Sequence, residues 1–247
     1  MRSSWFGAFL AAAATVAAPA SASARTPVDA PAARSAPPVI IAKYGFDGRS
    51  GSILDESGRG HTLSLVAGHG GLVRPVVHGQ GTALAFPPKC TGGVCPHAVL
   101  QSPSSTDLNP GTRTIAYGAD VLLTPGQTSN GQNIVQKGYS TTSSQWKLQI
   151  DGVGGRPSCV LVDDRKPTIR IVTSSVPVAD GRWHAVQCRR AGTAFVVSVD
   201  GVARGGVAVP AKLSITNNQP LSIGAKGAYG DNDQFNGAMD NVWVQIG

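Results

Sequence analysis

The chain has 247 residues, a formal charge of +7, and a composition rich in glycine (31) and proline (17). Its lysines and arginines are scattered along the sequence, so the charge does not indicate nucleic-acid binding, which requires a basic stripe or helix. No apolar run reaches the roughly 20 residues of a membrane-spanning helix, which argues against stable membrane insertion. Glycine and proline recur every few residues and helix signals are almost absent, which favours an all-β domain.

The N-terminal sequence predicts export. A positive charge at Arg2, a short apolar stretch and the small residues Ala22-Ser23-Ala24 are typical of a secretory signal peptide, cleaved after Ala24. A retained membrane anchor is the alternative. Residues 25–38 are rich in proline and alanine without periodicity and predict a semi-extended linker. We therefore expect a secreted protein whose single domain spans residues 39–247.

Apolar runs separated by turn signals predict many short strands, as in a β-sandwich or barrel. In chain order the predicted strands are 39–47, 62–66, 72–77, 81–86, 97–101, 114–123, 133–138, 145–150, 158–162, 169–173, a hairpin within 180–201, 206–209, 221–224 and 235–246. In the strand 145–150, Trp146, Leu148 and Ile150 alternate with polar residues, so this strand should cover the core with one face only.

The hairpin within 180–201 is the strongest local signal. Two runs rich in β-branched and aromatic residues are flanked by the pairs Asp180-Gly181 and Asp200-Gly201, which suit tight turns because both residue types tolerate positive φ. Alternation places His184 on the same face as Val186 and Cys188. Apolar residues on both faces suggest strands that have neighbours on each side and a second sheet over one face.

Four cysteines in an exported chain predict two disulfide bonds, with three pairings possible. The short Gly-rich segment from Cys90 to Cys95 favours a local bridge. Cys159 would then pair with Cys188 and join the hairpin to an earlier strand. Zinc binding is the competing interpretation, but neither pair has the Cys-x-x-Cys spacing of a zinc site.

The motif Asp180-Gly-x-Trp-His-x-Val186, followed by an aliphatic strand that ends Val199-Asp-Gly201, resembles the laminin G-like jelly-roll family of the concanavalin A-like lectin/glucanase superfamily. The opening Tyr-x-Phe-Asp47 and the ending Phe235-Asn-Gly-x-x-Asp-x-Val-x-Val244 also match that family. The resemblance runs from Tyr44 to Ile246. It implies an antiparallel two-sheet β-sandwich in which the first and last strands lie together.

The resemblance also implies a structural calcium site where the opening strand, an early loop and the last strand meet. The matching positions are Asp47, the carbonyl of Gly81, and Asp240. Calcium prefers six to eight oxygen ligands from carboxylates, carbonyls and water. The alternative gives Asp47 the role of a turn former and makes Asp240 a hydrogen-bond acceptor at a strand edge.

Catalysis is not expected. Glycosidases usually need two carboxyl groups that flank the scissile bond, and the glucanase relatives carry them as Glu-x-Asp-x-Glu. This chain has a single glutamate, Glu56, and lacks that pattern. The pairs Asp163-Asp164 and Asp231-x-Asp233 are the remaining acidic candidates for a hydrolase. His184 is interpreted as a packed histidine with one hydrogen bond.

Ligand binding is the preferred function. Tyr139 and Tyr229 lie in polar loops where an aromatic ring has little core to join, and each could contact a sugar. Lys137, Asp231 and Asp233 are the polar candidates beside them. Trp146, Trp183 and Trp243 sit in strand patterns and are expected in the core. We therefore expect a non-catalytic module that binds a polysaccharide or glycan, with an adhesion module for a protein partner as the alternative.

Overall fold

The computed structural model describes Met1, residues 37–48 and residues 53–247, so the predicted signal peptide and most of the linker lie outside the described residues. Within this part the chain forms fifteen strands, which are β1 Val39–Tyr44, β2 Ser64–Gly68, β3 Arg74–His78, β4 Gly81–Ala85, β5 His97–Ser102, β6 Ile115–Leu122, β7 Gly131–Lys137, β8 Gln145–Asp151, β9 Arg156–Val162, β10 Ile169–Thr173, β11 Trp183–Ala191, β12 Ala194–Val199, β13 Val202–Ala208, β14 Leu221–Ile223 and β15 Ala238–Ile246. Short 3-10 helices at Thr106–Leu108 and Pro125–Gln127 were not predicted. The all-β prediction is confirmed.

The strands form two antiparallel sheets. The eight-stranded sheet has the order β13-β12-β11-β6-β15-β4-β3, and β1 pairs with β15. The seven-stranded sheet has the order β10-β9-β8-β7-β14-β5-β2. Because β15 is long, β1 pairs with its C-terminal half and β4 with its N-terminal end. The first and last strands therefore lie together, as the resemblance implied.

The hairpin β11–β12 continues directly into β13 through the predicted Asp-Gly turn. Asp200 and Gly201 both have positive φ, 52° and 74°, and Val199 pairs with Val202 across them. Two consecutive positive φ values give the turn the twist that matches the flanking strands. Strand β13 therefore begins immediately after the turn, four residues earlier than predicted.

The core fills the space between the sheets. Trp146, Leu148 and Ile150 of β8 are fully buried, as their alternation predicted, and the Trp146 ring packs on Tyr117 with centroids 4.9 Å apart. Both predicted disulfide bonds are present. The Cys159–Cys188 bridge joins β9 of one sheet to β11 of the other, whereas Cys90–Cys95 closes an exposed loop. None of the described helices has the length and apolar character needed to cross a membrane.

Candidate functional site

The outer face of the seven-stranded sheet carries a row of polar side chains. Since Trp146 and Leu148 point into the core, the alternating residues Gln145, Lys147 and Gln149 lie on the opposite face. The register continues the row: Lys147 pairs with Gln136, which pairs with Ser222. Such amide, hydroxyl and ammonium groups are donors and acceptors for a polar ligand.

One end of this row opens into a cleft between two rim loops, which we call the tyrosine cleft. One loop joins β7 to β8 and carries Tyr139; the other joins β14 to β15 and carries Tyr229. The cleft has a volume of about 290 Å³ and is lined by Tyr139, Ser140, Thr141, Gln145, Lys147, Lys226, Tyr229 and Asp233. The fold therefore brings together three of the five predicted ligand-binding residues.

The two tyrosine rings are positioned differently. The Tyr139 hydroxyl donates a hydrogen bond to the carbonyl of Lys226 at 3.0 Å, which ties one rim loop to the other. Tyr229 is 49% exposed, and its ring lies over Gly227, where any side chain would collide with it. Burial, and then the negative charge of Asp233, raise the pKa of Tyr229, so its phenol stays neutral at physiological pH. Tyr229 is therefore the ring that is available to a ligand.

Asp233 lies between two ammonium groups in this cleft. Its Oδ2 is 2.7 Å from Nζ of Lys147 and 3.2 Å from Nζ of Lys226. The Lys147 side chain is 8% exposed, and desolvation lowers its pKa although the Asp233 charge opposes that shift. Among the residues that line the tyrosine cleft, Asp233 is the single carboxylate. Sequence reasoning missed both lysines.

Asp233 also lines a second cleft, which we call the disulfide cleft. This cleft has a volume of about 340 Å³ and is lined by Pro88, Lys89, Cys90, Cys95, Pro96, His97, Ser129, Asn130, Gly131, Asp231, Asn232, Asp233, Gln234 and Asn236. The fourth predicted binding residue, Asp231, belongs here and not to the tyrosine cleft. The two clefts are therefore neighbours that share one side chain.

Lys137 lies in neither cleft. It pairs with Trp146 across β7 and β8, is fully buried, and directs its ammonium group at Asn109 and Asn217. Nζ is 2.9 Å from Oδ1 of Asn109, and 2.6 Å and 3.0 Å from the backbone and side-chain oxygens of Asn217. Burial lowers the pKa of Lys137 to about 8. These contacts tie two loops together. Lys137 therefore stabilises the fold and does not lie in the cleft beside the predicted ligand-binding tyrosines.

The predicted calcium ligands come together on the eight-stranded sheet, where each already has a protein partner. Asp47 packs against Gly81 and accepts a hydrogen bond from the Thr82 amide at 2.8 Å. Asp240 is bound by Nδ1 of His78 at 2.6 Å. Burial raises the pKa of Asp240, and the nearby Asp47 charge adds to the effect.

Two carboxylates and a carbonyl have the right chemistry for calcium, but they fall short of the six to eight oxygens the ion requires. In the part of the chain that the structure describes, no group of three or more His, Cys, Asp or Glu side chains could hold a metal ion. Calcium binding therefore stays a prediction.

Two other predictions need correction. His184 makes two contacts and not one, to Asp200 at 2.8 Å and to Asp180 at 3.1 Å, so it links the segment before β11 to the turn after β12 at the open end of the hairpin. Of the three tryptophans predicted to be in the core, Trp146 is buried there and the other two are not. Trp183 is partly exposed and stacks on His78 with centroids 3.9 Å apart, and Trp243 is also partly exposed.

The other acidic pair lies in the loop after β9. Asp163 and Asp164 each contact Arg165 at 3.6 Å, and Asp164 accepts a hydrogen bond from Ser214. Both carboxylates are thus neutralised by one guanidinium group outside the two clefts. Their place offers no support for an acid–base pair.

Comparison with known proteins agrees with this fold. A laminin G-like family model, described as concanavalin A-like lectin/glucanases superfamily, matches residues 100–245. A search of curated protein sequences finds no match. Among solved structures, domain 4 of AbnA, an extracellular GH43 arabinanase from Geobacillus stearothermophilus in complex with arabinotriose, is similar with a TM-score of 0.63 at 15% identity, over 85% of this chain and 93% of that one.

Two toxin domains are also similar. The binding domain of Paraclostridial Mosquitocidal Protein 1 gives a TM-score of 0.62 at 12% identity, over 83% of this chain and 48% of that one. The binding domain of botulinum neurotoxin DC in complex with SialylT gives 0.59 at 9% identity, over 83% and 47%. The chain spans about half the length of these two domains. At such identities, the likeness shows a shared fold.

Proposed function

Because the chain belongs to the laminin G-like family of the concanavalin A-like lectin/glucanases superfamily, we propose that it is a secreted module that binds a polysaccharide or cell-surface glycan at the tyrosine cleft. One observation carries the proposal: rim-loop tyrosines meet a floor of amide, ammonium and carboxylate groups in a single cleft. Aromatic faces pack on the apolar faces of sugars, and convergent polar groups fix the hydroxyls.

The charges in the cleft favour binding without catalysis. Glycoside hydrolysis usually needs one protonated and one ionised carboxyl group on opposite sides of the bond. Asp233 contacts two ammonium groups, and among the described residues no second carboxylate lines this cleft. The same triangle of charges can orient a sugar hydroxyl by donating from a lysine and accepting at Asp233.

The structural neighbours and the disulfide bonds also support the proposal. Two neighbours of the same fold were solved with a carbohydrate ligand, arabinotriose in one and SialylT in the other. The two disulfide bonds fit an oxidising compartment, as secretion requires. Together they support an extracellular glycan as the target.

A glycan panel tests the proposal. The wild-type protein and the Tyr229→Ala variant are applied to immobilised glycans that include arabinans, sialylated and neutral chains, each with calcium and again with chelator. We expect the wild type to bind a subset and Tyr229→Ala to lose that binding. Tyr229→Phe keeps the ring and should retain most of it. Val77→Ala, which changes an exposed side chain on the other sheet, is the matched control. Binding to no glycan would refute the proposal.

A protein partner is the second candidate, favoured by one apolar surface. Ile169 and Ile171 on β10, the last strand of the seven-stranded sheet, are 56% and 46% exposed, and a strand at the end of a sheet can pair with a strand of another protein. A neighbouring toxin domain was solved in complex with rat synaptotagmin II. Two results together would favour this function. The protein would capture a surface protein, with Ile171→Lys abolishing the capture, and it would bind no glycan on the panel.

A further inference from the structure

The disulfide cleft presents free polar groups at a place next to the proposed sugar site. Within the described residues, the side chains of Lys89, Asn130 and Asp231 make no hydrogen bond or ion pair, although all three line this cleft. His97 lies in the same wall with 8% exposure, and its Nδ1 has no partner in the described structure. An ammonium group, an amide and a carboxylate without hydrogen-bond partners in the described structure therefore surround one cavity.

The walls that hold these groups are fixed. The Cys90–Cys95 bridge closes one wall, and Nδ2 of Asn236 donates to the Pro87 carbonyl at 3.0 Å. The Ala98 amide donates to Oε1 of Gln234 at 2.8 Å, which joins the loop before β15 to β5. Loops that are cross-linked in this way lose little conformational entropy when a ligand binds, so the cleft is pre-organised.

The two clefts differ in chemistry and share the Asp233 side chain as a common wall. The tyrosine cleft offers two aromatic rings, whereas the described residues that line the disulfide cleft include no Phe, Tyr or Trp. Asp233 separates them, with Lys226 and Tyr229 on one side and Asp231 on the other. A molecule longer than one cleft could pack a ring on Tyr229 and reach the free polar groups with its next units.

We infer that the disulfide cleft is a second subsite of the same groove and that the ligand is an extended glycan chain, with one unit on Tyr229 and the following units hydrogen-bonded by Lys89, Asn130 and Asp231. This inference rests on the proposed function of the tyrosine cleft. A terminal monosaccharide would leave the second cleft empty. A chain would use both.

Titration calorimetry with oligosaccharide ladders of one to six units tests the inference, with the arabinose, cellobiose and chitobiose series as probes. We expect the affinity for the bound series to rise with length until both clefts are filled and then to level off. Lys89→Ala and Asp231→Gly should each weaken the longer chains by about tenfold, since each removes a hydrogen bond from a charged group. Glycine is chosen at position 231 because φ is 55° there.

The two variants should leave the affinity for the shortest bound sugar unchanged, whereas Tyr229→Ala should weaken every length. Lys166→Ala removes an exposed lysine from the loop after β9 and is the matched control, expected to bind as the wild type does. Equal affinity for all lengths, or unchanged binding of long chains by both cleft variants, would overturn the second subsite and leave the proposed function standing. If neither a ladder nor any glycan of the panel binds, the proposed function itself fails.

Discussion

Replacing Asp233 by asparagine tests the charge arrangement of the tyrosine cleft. The change keeps the size of the side chain, and asparagine tolerates the positive φ of 52° at this position. It removes the carboxylate that lies 2.7 Å from the Lys147 ammonium group. Lys147 would then be a nearly buried cation without an ion pair, supported only by the charge of Asp151 at longer range, while the more exposed Lys226 could turn toward water.

The contacts set the expected size of the effect. Removing one partner from a fully buried ion pair costs about 3–5 kcal/mol. The Asp233 side chain is 19% exposed, so water softens the loss, and we expect Asp233→Asn to lower the free energy of unfolding by about 2–3 kcal/mol. Lys147→Met should cost only about 1 kcal/mol because Asp233 keeps Lys226 at 3.2 Å.

Urea unfolding measures both variants, and pH supplies a second readout. Desolvation already lowers the pKa of Lys147, and loss of Asp233 should lower it further. Between the folded and unfolded pKa values the unfolded state binds more protons, so the stability of Asp233→Asn should recover toward the wild type as the pH rises through the alkaline range. If Lys147→Met proved as costly as Asp233→Asn, or if the loss did not change with pH, Lys147 would not depend on Asp233 as argued.

Three further outcomes are expected. The double variant Cys159→Ala/Cys188→Ala should lower the free energy of unfolding by about 3.6 kcal/mol from loop entropy alone. Loss of the local Cys90–Cys95 bridge should lower it by about 2 kcal/mol. Urea unfolding measures both losses, and equal values would contradict this expectation. Burial opposes protonation of His184, but its hydrogen bonds to two carboxylates outweigh burial and raise its pKa. Its contribution is therefore complete below about pH 6.5 and lost as the pH rises through the raised value, so His184→Gln should flatten that part of the stability profile. Calcium at 100 times its Kd should stabilise the protein by about 2.7 kcal/mol relative to chelator. Asp240→Asn should abolish this stabilisation. A melting temperature that calcium leaves unchanged would contradict the predicted calcium site.

The fold followed from the sequence because its signals are local. Period-two alternation, Asp-Gly pairs and spaced glycines identified every strand that the structure describes, and the pair Asp200-Gly201 forms the turn from β12 to β13. The strand ends shifted by a few residues where turn geometry decides the boundary. Pairing of β1 with β15 joins the two ends of the domain, and only the family resemblance foresaw it.

The candidate site was predicted from the sequence less completely than the fold. Tyr139, Tyr229 and Asp233, which the structure brings to one cleft, were predicted because aromatic and acidic residues in polar loops stand out. Lys147 was missed although the alternation around Trp146 already placed it on the outer face. Lys137 points inward because the register sets it opposite Trp146, and the alternation of the sequence alone does not give that register.

Alternation also argued against a core position for Trp183, because Cys188 points inward and Trp183 therefore points outward toward His78. Other features could not be read from the sequence. The disulfide cleft has no local signature, because it forms where loops around residues 88–97, 129–131 and 231–236 meet. Only the topology of the two sheets brings those loops together.

Retention on insoluble polysaccharide tests the central claim most directly. The wild type and Tyr229→Ala are incubated side by side with the polysaccharide preferred on the panel, and bound protein and released reducing ends are measured in the same samples. The account predicts that the wild type is retained, that Tyr229→Ala stays in solution, and that neither releases reducing sugar. Equal retention of the two proteins, or release of reducing ends by the wild type, would contradict it.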